Sequence, residues 1–155
     1  MNGKIFTLRN LYQSGTEKLE KAGIREAKLD AWYLLEYKTG ISRAVFLADP
    51  DREVEEEKAE SYQKDICTRA RRIPLQHITG EQEFMGLNFK VNENVLVPRQ
   101  DTEILVEEAL KRIRPDMQIL DMCTGSGCIL ESILKFGEKK QMHLKGTGCD
   151  ISEEA

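Results

Sequence analysis

The run Asp121-Met122-Cys123-Thr124-Gly125-Ser126-Gly127-Cys128 sets a carboxylate, hydroxyls, thiols and two glycines in immediate succession. It follows the apolar pair Ile119-Leu120 and precedes Ile129-Leu130, which predicts a buried strand, a tight loop of small residues and the start of a helix. Gly125 and Gly127 permit backbone angles and close approaches that a side chain prevents. Such a loop exposes backbone N–H groups at a helix N-terminus, where a nucleotide-like ligand can dock. After the helix (Ile129, Ile133, Leu134), Gly146-Thr147-Gly148-Cys149-Asp150-Ile151 reads as the next strand. Asp150 at its end is placed to accept hydrogen bonds from ribose hydroxyls.

Three readings of this loop remain open on residues alone. A dinucleotide fingerprint wants Gly-x-Gly-x-x-Gly, but Cys123 fills its first glycine position and Cys128 its third. The tighter pattern of an acid followed by alternating glycines fits Asp121, Gly125 and Gly127 with one departure, Cys123. That pattern is typical of loops that bind S-adenosylmethionine, which has no pyrophosphate. The third reading is a strand-to-helix turn of small residues with no ligand.

The elements that must carry this loop differ between two halves. Residues 1 to about 72 read as a helical bundle. Leu8, Leu11, Tyr12, Leu19 and Ala22 follow helical spacing up to Gly23, and Ala27, Ala31, Leu34 and Leu35 do so up to Gly40, a C-terminal cap. Ser42 can cap a short helix with Val45, Phe46 and Leu47, and Asp49-Pro50-Asp51 is a turn. A longer helix is expected from about Val54 to Arg72, with Ala59, Tyr62, Ile66 and Ala70 inward and an acid-to-base gradient that suits its dipole. From Pro74 the pattern changes. Phe84, Leu87, Phe89 and Val91 around Gly86 predict a β-hairpin. A helix carrying Ile104, Leu105, Ala109, Leu110 and Ile113 is expected next, capped by Asp101 or Thr102 and ended by Pro115.

The net charge of −4 argues against bulk attraction to nucleic acid. No apolar run approaches the ~20 residues of a membrane span, and Met1 to Thr7 lack the long apolar segment of a secretory signal. Cys67, Cys123, Cys128 and Cys149 lack zinc-ligand spacing, so no metal site is expected and reduced cytoplasmic thiols are.

Three stretches occur in order: Ile73-Pro74-Leu75-Gln76-His77-Ile78-Thr79-Gly80-Glu81-Gln82-Glu83-Phe84, then Leu96-Val97-Pro98-Arg99-Gln100-Asp101-Thr102-Glu103, then Asp121 to Cys128. Together they resemble the release-factor glutamine methyltransferases of HemK type. The resemblance covers essentially all of the chain, and residues 73–128 carry its specific motifs. It implies an α + α/β chain: a helical substrate-recognition domain over 1–72, a β-hairpin linker over 73–95, and over 96–155 the start of a Rossmann-like methyltransferase sheet, incomplete as it stands. It implies S-adenosylmethionine as cofactor, with Cys123, Thr124, Gly125, Ser126 and Gly127 around its methionine end, Asp121 opening the loop and Asp150 on its ribose. The segment Pro98 to Glu103 would border the same pocket. Class I peptide chain release factors are the implied partners, methylated on the glutamine of a Gly-Gly-Gln motif. Cys123 stands where the family usually has glycine, and a positive φ there is strained. His77 stands where tyrosine is commoner and is expected to be a packed, hydrogen-bonded histidine.

The family's Asn-Pro-Pro-Tyr signature, which clamps the glutamine amide in line with the methyl–sulfonium bond, does not occur here: Pro50, Pro74, Pro98 and Pro115 all lack a preceding asparagine. No catalytic residue is therefore assigned, and the chain is expected to be a truncated form inactive by itself. Uncovered apolar faces and a strand edge would favour self-association. The competing readings are a methyltransferase acting on a ribosomal protein, a non-catalytic module that binds release factor or ribosomal protein through residues 1–72, a nicotinamide-dependent dehydrogenase, and a nucleic-acid adenine methyltransferase. The acidic chain argues against the last.

Overall fold

A computed structural model describes residues 5–155; Met1 to Lys4, most of the segment read for a leader signal, lie outside the described residues. Two compact units divide between Thr79 and Gly80.

The first unit runs β1 (Phe6–Thr7), α1 (Leu8–Lys21), α2 (Ala27–Thr39), α3 (Arg43–Ala48), β2 (Glu53–Val54), α4 (Glu56–Ala70) and α5 (Leu75–Thr79). Thr7 caps α1 by accepting a hydrogen bond from the Asn10 N–H at 3.3 Å. Leu8, Leu11 and Leu19 of α1, Ala31, Leu34 and Leu35 of α2, and Ala59, Tyr62 and Ile66 of α4 form one buried core. These are the stripes that the spacing of the sequence marks out. Gly40 ends α2 at φ +69°, a left-handed cap that glycine adopts without steric cost. Arg69 and Asp30, both largely buried, join α4 to α2 through an ion pair of 2.7 Å, and Arg69 also donates to the Ile73 carbonyl. Leu75 and Ile78 of α5 pack onto the same core, so residues 73–79 sit with the helices.

Four details of this unit depart from the sequence pattern. Val54 is in β2, paired antiparallel with Phe6, and α4 starts at Glu56. The first amides of α1 lack intrahelical acceptors, and the returning chain supplies them: Leu8 donates to Arg52 O at 3.1 Å and Arg9 to Pro50 O at 2.8 Å. Ser42 holds the N-cap position of α3 but its side chain makes no capping bond. Leu47 is exposed. His77 is half-buried, and its Nε2 has no hydrogen-bond partner among the described residues, contrary to the hydrogen-bonded histidine expected.

The second unit holds the hairpin β3 (Glu81–Phe84) and β4 (Leu87–Lys90), then α6 (Gln100–Leu110), β5 (Gln118–Met122), α7 (Cys128–Lys139) and β6 (Lys145–Cys149). Met85 and Gly86 make the two-residue hairpin turn with φ of +53° and +70°, the conformation that matches strand twist. The Met85 N–H donates to Glu103 at 2.7 Å, fastening the turn to α6. Phe84, Phe89, Val106, Cys128 and Ile133 are the buried centre. β5 and β6 pair in parallel from Gln118↔Lys145 to Met122↔Cys149, with α7 as their connection.

Here too the structure corrects the sequence pattern. Arg99, in extended conformation, is the N-cap of α6, so Asp101 and Thr102 lie within its first turn. Val106 is fully buried and Ala109, Leu110 and Ile113 pack partly buried against the same core, while Ile104 and Leu105 are 62% and 55% exposed. The helix ends at Leu110, before Pro115 is reached. β5 is not buried: Leu120 and Met122 are 63% and 64% exposed on one face. β6 ends at Cys149, leaving Asp150 and Ile151 beyond the ladder.

Candidate functional site

Because β5 and β6 run parallel and in register, their C-terminal ends come out side by side, with the loop 123–127 after one and Asp150 after the other. Two hydrogen bonds lock the loop to the sheet. The Thr124 N–H donates to the Cys149 carbonyl at 3.0 Å, and the Thr124 hydroxyl donates to the Asp121 carboxylate at 2.8 Å. The Gly127 N–H then turns back to Thr124 O at 2.9 Å, and Gly127, at φ +75°, is the N-cap of α7. Asp121 is thus a positioning residue for the loop, half-buried beneath it.

Cys123, Gly125 and Gly127 all lie in the left-handed region, at φ +62°, +53° and +75°. For two of them the sequence supplies glycine; for Cys123 it supplies a β-carbon, and the strain foreseen there is present. A β-carbon at Gly125 would meet no atom within 4 Å. The backbone of the loop therefore presents an open surface at that point. Ser126 is half-buried, and Cys123 exposed. Burial pushes the Cys128 thiol above its ordinary range, partly offset by a hydrogen bond from Ser126.

Asp150 completes the arrangement. One carboxylate oxygen accepts from the Gly125 N–H at 2.8 Å and the other from the Ser152 N–H at 3.0 Å. The Ser152 and Gly125 amides hold its pKa below the ordinary carboxylate value, so at neutral pH it is an ionised acceptor. The geometry thus brings together Asp121, Cys123, Thr124, Gly125, Gly127 and Asp150. Glu103, by contrast, is engaged with the hairpin turn.

Two supporting features escape a motif reading. A β-carbon at Gly146 would lie 2.8 Å from Leu130 and Leu134 of α7, and one at Gly148 would lie 3.0 Å from the Thr124 hydroxyl. Glycine at alternate positions of β6 lets α7 and the loop press onto the strand. The Gly-x-Gly spacing inside a strand is the signal for such close approach. Among the described residues no group of His, Cys, Asp or Glu is placed to hold a metal ion, all four cysteines are free, and no helix is long and apolar enough to cross a membrane.

A helical unit followed by a strand–glycine loop–helix–strand unit, with an acidic residue after the second strand, is an arrangement compatible with a nucleotide-type α/β ligand site. Comparison with known proteins narrows the class. Residues 10–80 match the family model described as the PrmC N-terminal domain. Proteins named release factor glutamine methyltransferase align along most of the chain. The one from Caulobacter vibrioides is 36% identical over 151 residues, covering 96% of this chain and 51% of the relative. That from Moorella thermoacetica is 39% identical over 151 residues (96% and 52%), and that from Clostridium botulinum 42% over 124 residues (79% and 44%). The chain belongs to the release factor glutamine methyltransferase family and matches its N-terminal portion. It spans about half the length of the curated relatives it matches.

Proposed function

We propose that this chain carries the substrate-recognition unit and the cofactor loop of an enzyme that transfers a methyl group from S-adenosylmethionine to a release-factor glutamine. The acceptor is the side-chain amide nitrogen of the Gly-Gly-Gln motif in class I peptide chain release factors. The single observation that supports this most is the seating of Asp150 against the Gly125 N–H at the mouth of the glycine loop. A carboxylate kept ionised beside an open, glycine-lined backbone fits a ribose, and a loop without a full dinucleotide fingerprint fits a ligand without pyrophosphate. Cys123, Thr124, Gly125, Ser126 and Gly127 would hold the methionine end, and Asp150 the ribose hydroxyls. When bound, the cofactor supplies an electrophilic methyl group on a sulfonium. The chain's own residues position it and contribute no acid or base.

The Asn-Pro-Pro-Tyr acceptor clamp is not among these 155 residues, so this reading assigns them no catalytic residue. In this reading residues 1–72 recognise substrate, 73–95 link, and 96–155 begin a Rossmann-like sheet. The partners are cytoplasmic release factors, with no direct contact to nucleic acid or membrane. The exposed Leu120 and Met122 would be covered by further sheet or by a second copy of the chain. A second reading, a non-catalytic protein-binding module, draws on the separate core of the helical unit. It predicts release-factor affinity from that unit with no cofactor present.

Calorimetric titration with S-adenosylhomocysteine, with NADH in parallel and Asp150→Ala as control, tests the cofactor class. Binding of the former that disappears in the variant is expected. Binding of NADH instead would reject it.

A further inference from the structure

Lys18 of α1 and Cys67 of α4 meet across the helix interface with Nζ 2.8 Å from Sγ. Sulfur is larger than oxygen, yet this separation falls within the range of an N–H···O hydrogen bond. Both residues are exposed, and Cys67 is free. Beside them opens a cavity of about 230 Å³ lined by Ser14, Gly15, Tyr62, Gln63 and Ile66 together with the pair itself. Tyr62 is fully buried, and its hydroxyl, pressed against Gly15, has no hydrogen-bond partner among the described residues. An orphaned buried hydroxyl at a cavity wall is a costly feature unless a small polar molecule visits it. Hydrogen peroxide, which both donates and accepts, satisfies that description and would be delivered next to the sulfur.

We propose that Lys18 and Cys67 form an oxidant-driven N–O–S bridge that ties α1 to α4. One peroxide oxidises the Cys67 thiol: an S–O bond forms, the O–O bond breaks and water leaves, giving the sulfenic acid. A second peroxide oxidises the Lys18 amine, in its neutral form after releasing a proton to solvent, to the hydroxylamine with loss of water. The hydroxylamine oxygen then displaces hydroxide from the sulfenic sulfur, and a third water leaves. The balance is Lys–NH2 + Cys–SH + 2 H2O2 → Lys–NH–O–S–Cys + 3 H2O. The two peroxides take up four electrons, two from nitrogen and two from sulfur. A single oxygen spans the gap already present between Nζ and Sγ, whereas a direct N–S bond would require the two atoms to close it. This bridge is independent of the cofactor loop, which lies in the other unit.

The test is peroxide treatment of the reduced full chain, followed by intact mass measurement and proteolytic mapping. The expected product has gained one oxygen and lost two hydrogens, joins the Lys18 and Cys67 peptides, and is released by dithiothreitol. Cys67→Ser and Lys18→Arg should both lack it. Because the bridge closes a long loop, the oxidised wild-type chain should melt more than ~5 °C higher, and neither variant should shift. Cys67 found as sulfinic or sulfonic acid with no joined peptide would overturn the proposal, as would a joined pair containing no added oxygen. Cys123, exposed but in the other unit, serves as the comparison thiol in the same digest.

Discussion

Replacing Cys123 by glycine should stabilise the second unit, although cysteine-to-glycine changes usually do the opposite. Cys123 is held at φ +62° and is exposed, so its side chain loses little burial when removed. A β-carbon in the left-handed region costs about 1–2 kcal/mol. Glycine gives back roughly 0.4–1 kcal/mol through the greater freedom of the unfolded chain. The difference is a net gain of about 0.5–1 kcal/mol, or several degrees in the melting temperature of a domain this small. Gly125→Ala measures the same quantity from the other side. At φ +53°, with no atom within 4 Å of the new methyl group, it should destabilise by a similar amount through backbone strain alone. The single tryptophan, Trp32, lies in the first unit, so its fluorescence should not change in either variant, while far-UV circular dichroism should register both shifts. If Gly125→Ala destabilises and Cys123→Gly does too, the strain argument at Cys123 is refuted.

Removing one partner of the largely buried Arg69–Asp30 pair should be severe. Asp30→Ala leaves Arg69 with only the Ile73 carbonyl and should cost about 3 kcal/mol by urea denaturation, whereas a loss under ~1 kcal/mol would class the pair with surface ion pairs. Glu108 of α6 is only partly exposed at the surface, and Lys111 and Arg112 lower its pKa to about 2. Its folded value is below its unfolded one, so whatever stability it adds is present above the ordinary carboxylate range and is lost as pH falls through about 2. An NMR titration should show the carboxylate ionised to near that pH at low salt and rising as salt screens the pair; a midpoint near 4.5 at low salt would contradict the geometry.

The sequence by itself determined the helical core of the first unit. Leu8, Leu11, Leu19, Ala31, Leu34, Leu35, Ala59, Tyr62 and Ile66 lie where helical periodicity places them, because one buried stripe per helix is a local property. Gly40 and the turn at Gly86 were legible for the same reason: backbone conformation at a cap or tight turn is often written in a glycine, whereas the left-handed φ of Met85 was not. The position of residues 123–127 between a strand and a helix, with Asp150 after the following strand, was local enough to read as well. What only the tertiary structure decided was which partner each group met. The β1–β2 pairing that shortens α4 depends on amides of α1 finding acceptors over forty residues away in sequence. Val106 rather than Ile104 or Leu105 faces the core of α6 because the hairpin's Phe84 and Phe89 set which side is inward. Asp150 reaches Gly125 only through the parallel register of β5 and β6. The contact of Lys18 with Cys67 likewise arises from helix packing, since nothing local to either residue foretells the other.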